Sequence, residues 1–407
     1  MGFLNFVQAN ARFLAVGALL TLSSSYGQTF FISIFAGEIQ GTFGLSHGQW
    51  GTLYSASTAL SALVMVWAGT LTDVFRVRTL APVVLIGLAL SCISMALTAS
   101  TLMLALTIFA LRLLGQGMSA HTATVAMARW FVANRGRALS VTGAGFSVGE
   151  ACLPIVFVAL LAVTDWRNLW VLAAILCLLA VVPITRFLRH ERTPQSIAAE
   201  VDAAGMEGRH WTRTDALRHP LFWLTVPALL ALPAFGTAFF FLQVHFAEIK
   251  GFSHAALVSL FPVYTLTAIG AMFVSGIAVD RFGTRGLIPF FLLPDVLGFL
   301  VLGQANGILM TAFGLFLLGL TSGCYTTIPN AFWAEFYGTR HLGAIKSMAA
   351  AVMVLGSAIG PGFCGLLIDR GYDFDAQTPM ISAIFLFASA MIGLGAWLSR
   401  PSRPVAL

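Results

Sequence analysis

Two opposite charges stand inside apolar sequence, where each needs a reason. Arg112 lies in "LRLLGQG" and Glu150 in "GFSVGE". An ionised side chain at the centre of a hydrocarbon layer costs at least about 2.5 kcal/mol. Arg112 is about 11 residues from one end of its apolar run, hence ~16 Å deep. Glu150 is about 12 residues from the opposite end of the next run, ~18 Å deep. Both therefore reach middle depth on neighbouring segments. Two readings follow. The residues form a structural ion pair, or they do chemistry: the guanidinium attracts an anion while the carboxylate releases and rebinds a proton. The second is the expectation taken forward.

Neutral polar groups occur at matching depths. "SSSYGQTFF" holds Ser24, Tyr26 and Gln28; "FGTAFFFLQVHF" holds Gln243 and His245; Tyr325, Thr326 and Asn330 follow further on. Tyr26, Gln28, Gln243, Tyr325 and Asn330 are expected to complete a recognition surface around the two charges. His121 lies nine positions after Arg112 and, at about 100° per residue, on the opposite face, where it reads as a packing residue. Asp295 is a third buried charge, in the cytoplasmic half of its run, open between structural hydrogen bonding and function.

The elements that position these groups follow from composition. Of 407 residues, 58% are hydrophobic and 9% charged, too few charges to cover a soluble surface, for which about 25% is usual. The chain is an all-α membrane protein by this measure. Twelve runs are long enough to span: 11–36, 48–72, 80–98, 101–128, 138–163, 169–188, 221–246, 255–279, 287–304, 307–334, 342–368 and 378–398. No cleavable signal peptide is expected, because the first run is too long for one. The polar stretch 189–220 separates residues 1–188, six runs, from residues 221–407, another six, and reads as a partly helical cytoplasmic linker. With both termini in the cytoplasm, 18 of the 22 Lys and Arg fall on the inner side, 3 on the outer, and Arg112 remains in the membrane. That distribution follows the positive-inside rule. The net charge of +6 is thus topological and no nucleic-acid signal. Cys92, Cys152, Cys177, Cys324 and Cys364 have no paired spacing and read as small buried residues. No His-Glu-x-x-His and no phosphate loop occurs, so no enzyme, metal or cofactor is expected.

One polar phrase is written twice. "GTLTDVFRVR" (Gly69 to Arg78) and "GIAVDRFGTR" (Gly276 to Arg285) share an Asp at the fifth position and an Arg at the tenth, 276 − 69 = 207 residues apart. Gly136 and Gly343, Ser140 and Ser347, Gly149 and Gly356, and Pro154 and Pro361 keep the same offset. This predicts a duplicated six-helix unit in parallel orientation. Transporters built this way bind substrate near the midplane between halves. In the phrase itself, Gly69 and Gly276 are expected to let helices approach closely. Asp73 and Asp280, with Arg78, Arg129, Arg281 and Arg285, are expected to form a latch at cytoplasmic helix ends.

The phrase resembles the loop between the second and third helices of the major facilitator superfamily, Gly-x-Leu-x-Asp-Arg-x-Gly-Arg-Arg. Gly69, Leu71, Asp73 and Arg78 match it, whereas Val74 and Arg76 depart; Gly276, Asp280, Arg281, Gly283 and Arg285 follow it more closely. "RWFVANRGRALSVTGAGFSVGEACLP" and "AEFYGTRHLGAIKS" resemble the oxalate/formate and monocarboxylate transporter branch. That resemblance implies twelve transmembrane helices in two six-helix bundles about a pseudo-two-fold axis along the membrane normal. It also implies a monomeric permease of a bacterial inner membrane, moving a small organic acid by alternating access with a proton as coupling ion. No Lys or Arg lies deep in the eighth or eleventh run, where that branch often places cations, which argues against oxalate itself. A proton-coupled efflux antiporter for amphipathic compounds is the alternative. Glu150 stands where such exporters often carry Pro, which weighs against it.

Overall fold

The computed structural model describes residues 3–69, 71–131, 135–189, 204–338 and 341–399. All regular structure in them is helical. The chain divides into two compact units, Met1–Ala198 and Ala199–Leu407. The first unit contains α1 (Phe3–Ser24), α2 (His47–Ala68), α3 (Val77–Ala96), α4, α5 (Arg135–Leu161) and α6 (Trp166–Phe187). Helix α4 runs through Thr101–Leu111, a π-helical stretch Arg112–Ser119, and Ala120–Trp130. The second unit contains α7 (Pro220–Phe241), α8 (Phe261–Leu287), α9 (Leu293–Gly303), α10 (Ile308–Tyr337), α11 (Leu342–Asp369) and α12 (Phe374–Leu398).

Among the described residues, ten helices are long and apolar enough to cross a membrane. Helix α2, which carries Thr52, Ser55, Ser57, Thr58 and Ser61, and the 11-residue α9 are outside that set. Several expected runs are not single helices, among them 221–246, which turns at Leu242, and 255–279, which turns at Ser259-Leu260. Run 11–36 breaks after Ser24 into a 3-10 turn, Ser25–Gly27, and an extended Gln28 (φ −87°, ψ 154°). Run 287–304 becomes helical only at Leu293, because Pro289 and Pro294 supply no N–H, and Pro294 sits in the first turn. Asp295 therefore occupies the first turn of a short helix and not the middle of a long one. Cys92, Cys177 and Cys364 are buried as expected, but Cys152 is exposed and Cys324 half-buried.

Within each unit the helices pair alike. Helix α1 packs on α5, α2 on α4 and α3 on α6; α7 packs on α11, α8 on α10 and α9 on α12. Backbone detail repeats too, at the offset already seen in the sequence. Gly44 (φ 61°) and Gly251 (φ 70°) take the left-handed conformation that closes a helix, which favours glycine. Two residues on, Ser46 Oγ accepts from Gln49 N at 3.1 Å and Ser253 Oγ accepts from Ala256 N at 3.1 Å, each capping the next helix. Phe35 (φ −94°, ψ 13°) and Leu242 (φ −93°, ψ 17°) are matching kinks. The arithmetic is 251 − 44 = 253 − 46 = 242 − 35 = 207.

Candidate functional site

The break in the first run is a meeting point of three helices. Gly27 and Gly115 face one another: a Cβ on Gly115 would lie 2.6 Å from Gly27 Cα and 2.8 Å from its N. Only two glycines allow backbones this close. On the other side, a Cβ on Gly149 of α5 would lie 3.0 Å from Ser25 Cβ. Helix α4 is π-helical where it passes the break. Such bulges re-aim side chains and recur at functional sites. Here the bulge opens with Arg112.

Arg112 is 2% exposed. Its Nη1 donates to Gly27 O at 3.2 Å and to Thr29 Oγ1 at 3.3 Å. Thr29 Oγ1 is in turn 2.7 Å from Tyr54 Oη, and the guanidinium carbon lies 5.4 Å from the Tyr54 ring centre. The cation is therefore held by a carbonyl released at the helix break, a hydroxyl and an aromatic face. Nε is buried with no hydrogen-bond partner, and neither Nε nor Nη2 bonds to any described residue. The bound nitrogen thus fixes the group. The Nε–Nη2 edge, whose geometry matches two oxygens of a carboxylate or sulfonate, is left unused by the described residues.

Glu150 is half-buried on α5, next to Gly149 and so beside the same break. Among the described residues it forms no ion pair with Arg112, whose partners are Gly27, Thr29 and Tyr54. Tyr26 is buried and packs its ring on Phe31 and Phe157, at 5.1 and 6.4 Å. Gln28 is the half-buried hinge residue itself. Tyr54 and Thr29 are the members that sequence reasoning missed. The signal was available: a buried guanidinium needs acceptors and an aromatic face, and Tyr54 is one of only six tyrosines.

In the second unit the expected recognition groups stand apart. Gln243, fully buried after the Leu242 kink, has its Oε1 3.3 Å from His254 Nε2. Tyr325 lines a small apolar pocket with Leu229, Phe291, Pro329 and Trp333, and its buried hydroxyl has no partner. Asn330 is exposed, and its Nδ2 donates to Thr326 O, one turn back on its own helix, at 2.6 Å. No hydrogen bond joins these three among the described residues.

The duplicated phrase is used differently in its two copies. Gly69 ends α2, and a Cβ there would lie 3.1 Å from Met65 O and 3.5 Å from His121 Nε2. His121 packs on this loop, with Thr72 Oγ1 at 3.4 Å from its Nε2. Arg78 Nη1 donates to Arg189 O at 3.2 Å. The expected close approach fails at Gly276, where a Cβ would meet only Thr327 Cγ2 at 3.9 Å, an ordinary contact. The helices of the second unit come close at other small residues instead: a Cβ on Gly319 would lie 2.6 Å from Tyr264 O. Arg281 is exposed beside the Phe282 ring. Gly283 (φ 70°, ψ 167°) breaks α8, and Glu335 Oε2 accepts from Thr284 N at 3.0 Å and Thr284 Oγ1 at 2.6 Å. Arg285 donates through Nε to Ala396 O and through Nη2 to Trp397 O, both at 3.1 Å, capping the last turn of α12. Glu335 was in the quoted segment but unassigned by sequence. The side chains of Asp73, Arg129 and Asp280 lie outside the described residues.

A family model of the major facilitator superfamily matches residues 17–361 and again 257–406. The chain belongs to the major facilitator superfamily. This facilitator is a multi-pass membrane transporter and not an enzyme. It is 22% identical over 397 residues to a "Probable sulfoacetate transporter" of Cupriavidus necator, covering 92% of this chain and 89% of that one. A bacterial homologue of the human lysosomal transporter Spinster, solved inward-facing and unoccupied, superposes with a TM-score of 0.74 at 16% identity, over 95% of this chain and 97% of that one. The human organic anion transporter MFSD10 superposes with a TM-score of 0.62 at 18% identity, over 94% and 99% of the two chains. These structural likenesses establish the fold.

Proposed function

We propose that this facilitator is a permease for a small organic anion and that the anion seats on the Nε–Nη2 edge of Arg112. The observation that carries the reading is that edge: a buried cation, anchored through one nitrogen, with a bidentate donor pair left free. The relative named for sulfoacetate, an anion with both a carboxylate and a sulfonate, supports that chemistry. Glu150, beside the same helix break, is the proton-carrying partner in this reading. Tyr26 and Gln28 set the shape of the break.

The carrier works by alternating access between two six-helix bundles, residues 1–188 and 221–407, joined by the linker 189–220. The shared helix pairing and the caps repeating at 207 residues support twelve spans about a pseudo-two-fold axis along the membrane normal. The positive residues support cytoplasmic termini, and the membrane in this reading is a bacterial inner membrane. A monomer with a proton as coupling ion completes the reading.

The test is uptake into proteoliposomes holding the purified protein, with a panel of two- to three-carbon carboxylates and sulfonates, sulfoacetate included, at set pH gradients. Saturable uptake of one panel member, abolished in Arg112→Gln and partly kept in Arg112→Lys, is expected. Uptake of a lipophilic cation but of no anion would reject the reading in favour of efflux.

A further inference from the structure

Asp295 is wholly buried, at 0% exposure, and neither carboxylate oxygen has a hydrogen-bond partner. The two helices packed on α9 are α10 and α12. From α10 the facing polar atom is Thr321 Oγ1, itself at 0% exposure and close to the carboxylate but without the geometry of a hydrogen bond. One turn further along α10, the Tyr325 hydroxyl is also buried and unpartnered. The registers agree: Phe291 lies one turn before Asp295, and its ring is 6.1 Å from that of Tyr325. Three unsatisfied polar groups thus collect on one face of an apolar unit, where buried polar groups are normally satisfied.

Charge does not resolve the cluster. The ionisable side chains of α10 are Cys324, Tyr325, Glu335 and Tyr337, and that of α12 is Asp375. Glu335 is bonded to Thr284 and Asp375 to Lys250 Nζ at 3.1 Å. Cys324 faces Ser275 of α8, and Tyr337 lies 16 residues along α10 from Thr321. On the chain before α9, Arg285 is held at the end of α12. No cation reaches Asp295 among the described residues.

We infer that Asp295, with Thr321 as its hydrogen-bond partner, is a proton-binding site of the second unit, loaded and unloaded through the pocket lined by Phe291 and Tyr325. As an acid the carboxyl O–H has Thr321 Oγ1 to donate to, and the site is neutral and satisfied. Release breaks that O–H bond and returns the proton to water. The exposed carboxylate then persists only in a conformation that admits water to the Phe291–Tyr325 pocket. Loading and conformation are thereby tied together, which gives the second unit a coupling group independent of Glu150. As a coupling device it rests on the proton-linked reading above; as a proton site it does not.

Two measurements on the full chain in vesicles decide it. The first is pH-difference infrared spectroscopy. Wild type should show a protonated-carboxyl band absent from Asp295→Asn, and Thr321→Val should shift that band by removing the acceptor. The second is uptake. Asp295→Asn should keep substrate exchange at the wild-type rate but reduce pH-driven accumulation about tenfold for each pH unit of gradient, the remainder being carried through Glu150. A purely structural carboxyl predicts the opposite, because Asn still donates to Thr321: accumulation would stay at the wild-type ratio, and the inference would be overturned. Absence of an Asp295-dependent band in wild type would overturn it as well. Should Asp295→Asn fail to fold, Thr321→Val decides, since an unshifted band excludes the site. A wild type that carries no organic anion but shows the band rejects the proposed function alone.

Discussion

Replacing Gly115 by Ala tests whether the contact at the helix break governs the anion site. The added Cβ would lie 2.6 Å from Gly27 Cα, whereas ordinary contact begins at 3.4 Å. The two backbones must therefore separate by 3.4 − 2.6 = 0.8 Å, and both sides are main chain, so no side chain can swing away. If the guanidinium follows α4, Arg112 Nη1 moves from 3.2 Å to 3.2 + 0.8 = 4.0 Å from Gly27 O, beyond hydrogen-bond range. Overpacking costs about 1–3 kcal/mol, and loss of a buried charged hydrogen bond about 1.5–3 kcal/mol. Together they predict a destabilisation of about 2.5–6 kcal/mol. The measurements are melting temperature in detergent, anion-induced stabilisation, and uptake. Gly143→Ala on α5 is the control, because a Cβ there meets nothing within 4 Å. Gly115→Ala should melt well below that control and lose anion-induced stabilisation. Equal melting with intact anion binding would refute the claim that the Gly27–Gly115 approach seats Arg112.

Three further outcomes are expected. Arg112→Gln should abolish anion binding, while Glu150→Gln should keep exchange and lose pH-driven accumulation; recovery of uptake in the double variant would mean that the two charges only balance one another. Asp73→Asn should lower turnover with binding and expression unchanged, and wild-type turnover would reduce that loop to a topological signal. Gly283→Ala should cost about 1–3 kcal/mol, because φ 70°, ψ 167° is open essentially to glycine alone. Comparing its melting temperature with that of Glu335→Gln, which weakens the bonds to Thr284, separates backbone strain from the loss of those bonds.

Much of the fold was legible in composition and period. Apolar length sets a spanning helix because the bilayer has a fixed thickness, and the offset of 207 in "GTLTDVFRVR" and "GIAVDRFGTR" returned as repeated caps at Gly44–Ser46 and Gly251–Ser253. Even there a better signal went unread, since "GLSH" and "GFSH" carry the same glycine and the same capping serine. The sequence also singled out Arg112, Glu150 and Asp295, because a charge in an apolar run is costly wherever the chain folds.

What those charges touch was decided by tertiary structure. Hydrophobic period cannot report a break in a helix, because Ser25–Gln28 lies in a segment apolar enough to read as continuous. Nor can it report a π turn, which shifts the phase between Arg112 and His121 and invalidates a count at 100° per residue. Depth along two neighbouring helices placed Arg112 and Glu150 at one level but left their azimuth free. Packing set that azimuth, turning Arg112 toward Gly27, Thr29 and Tyr54. The same holds for Asp295, whose meaning depends on Thr321 and Tyr325, residues 26 and 30 positions away that only the pairing of α9 with α10 brings to its face. Sequence determined which groups are costly to bury; the fold alone determined which atoms they meet, because partner choice depends on helix rotation and crossing, and neither is written in a one-dimensional pattern.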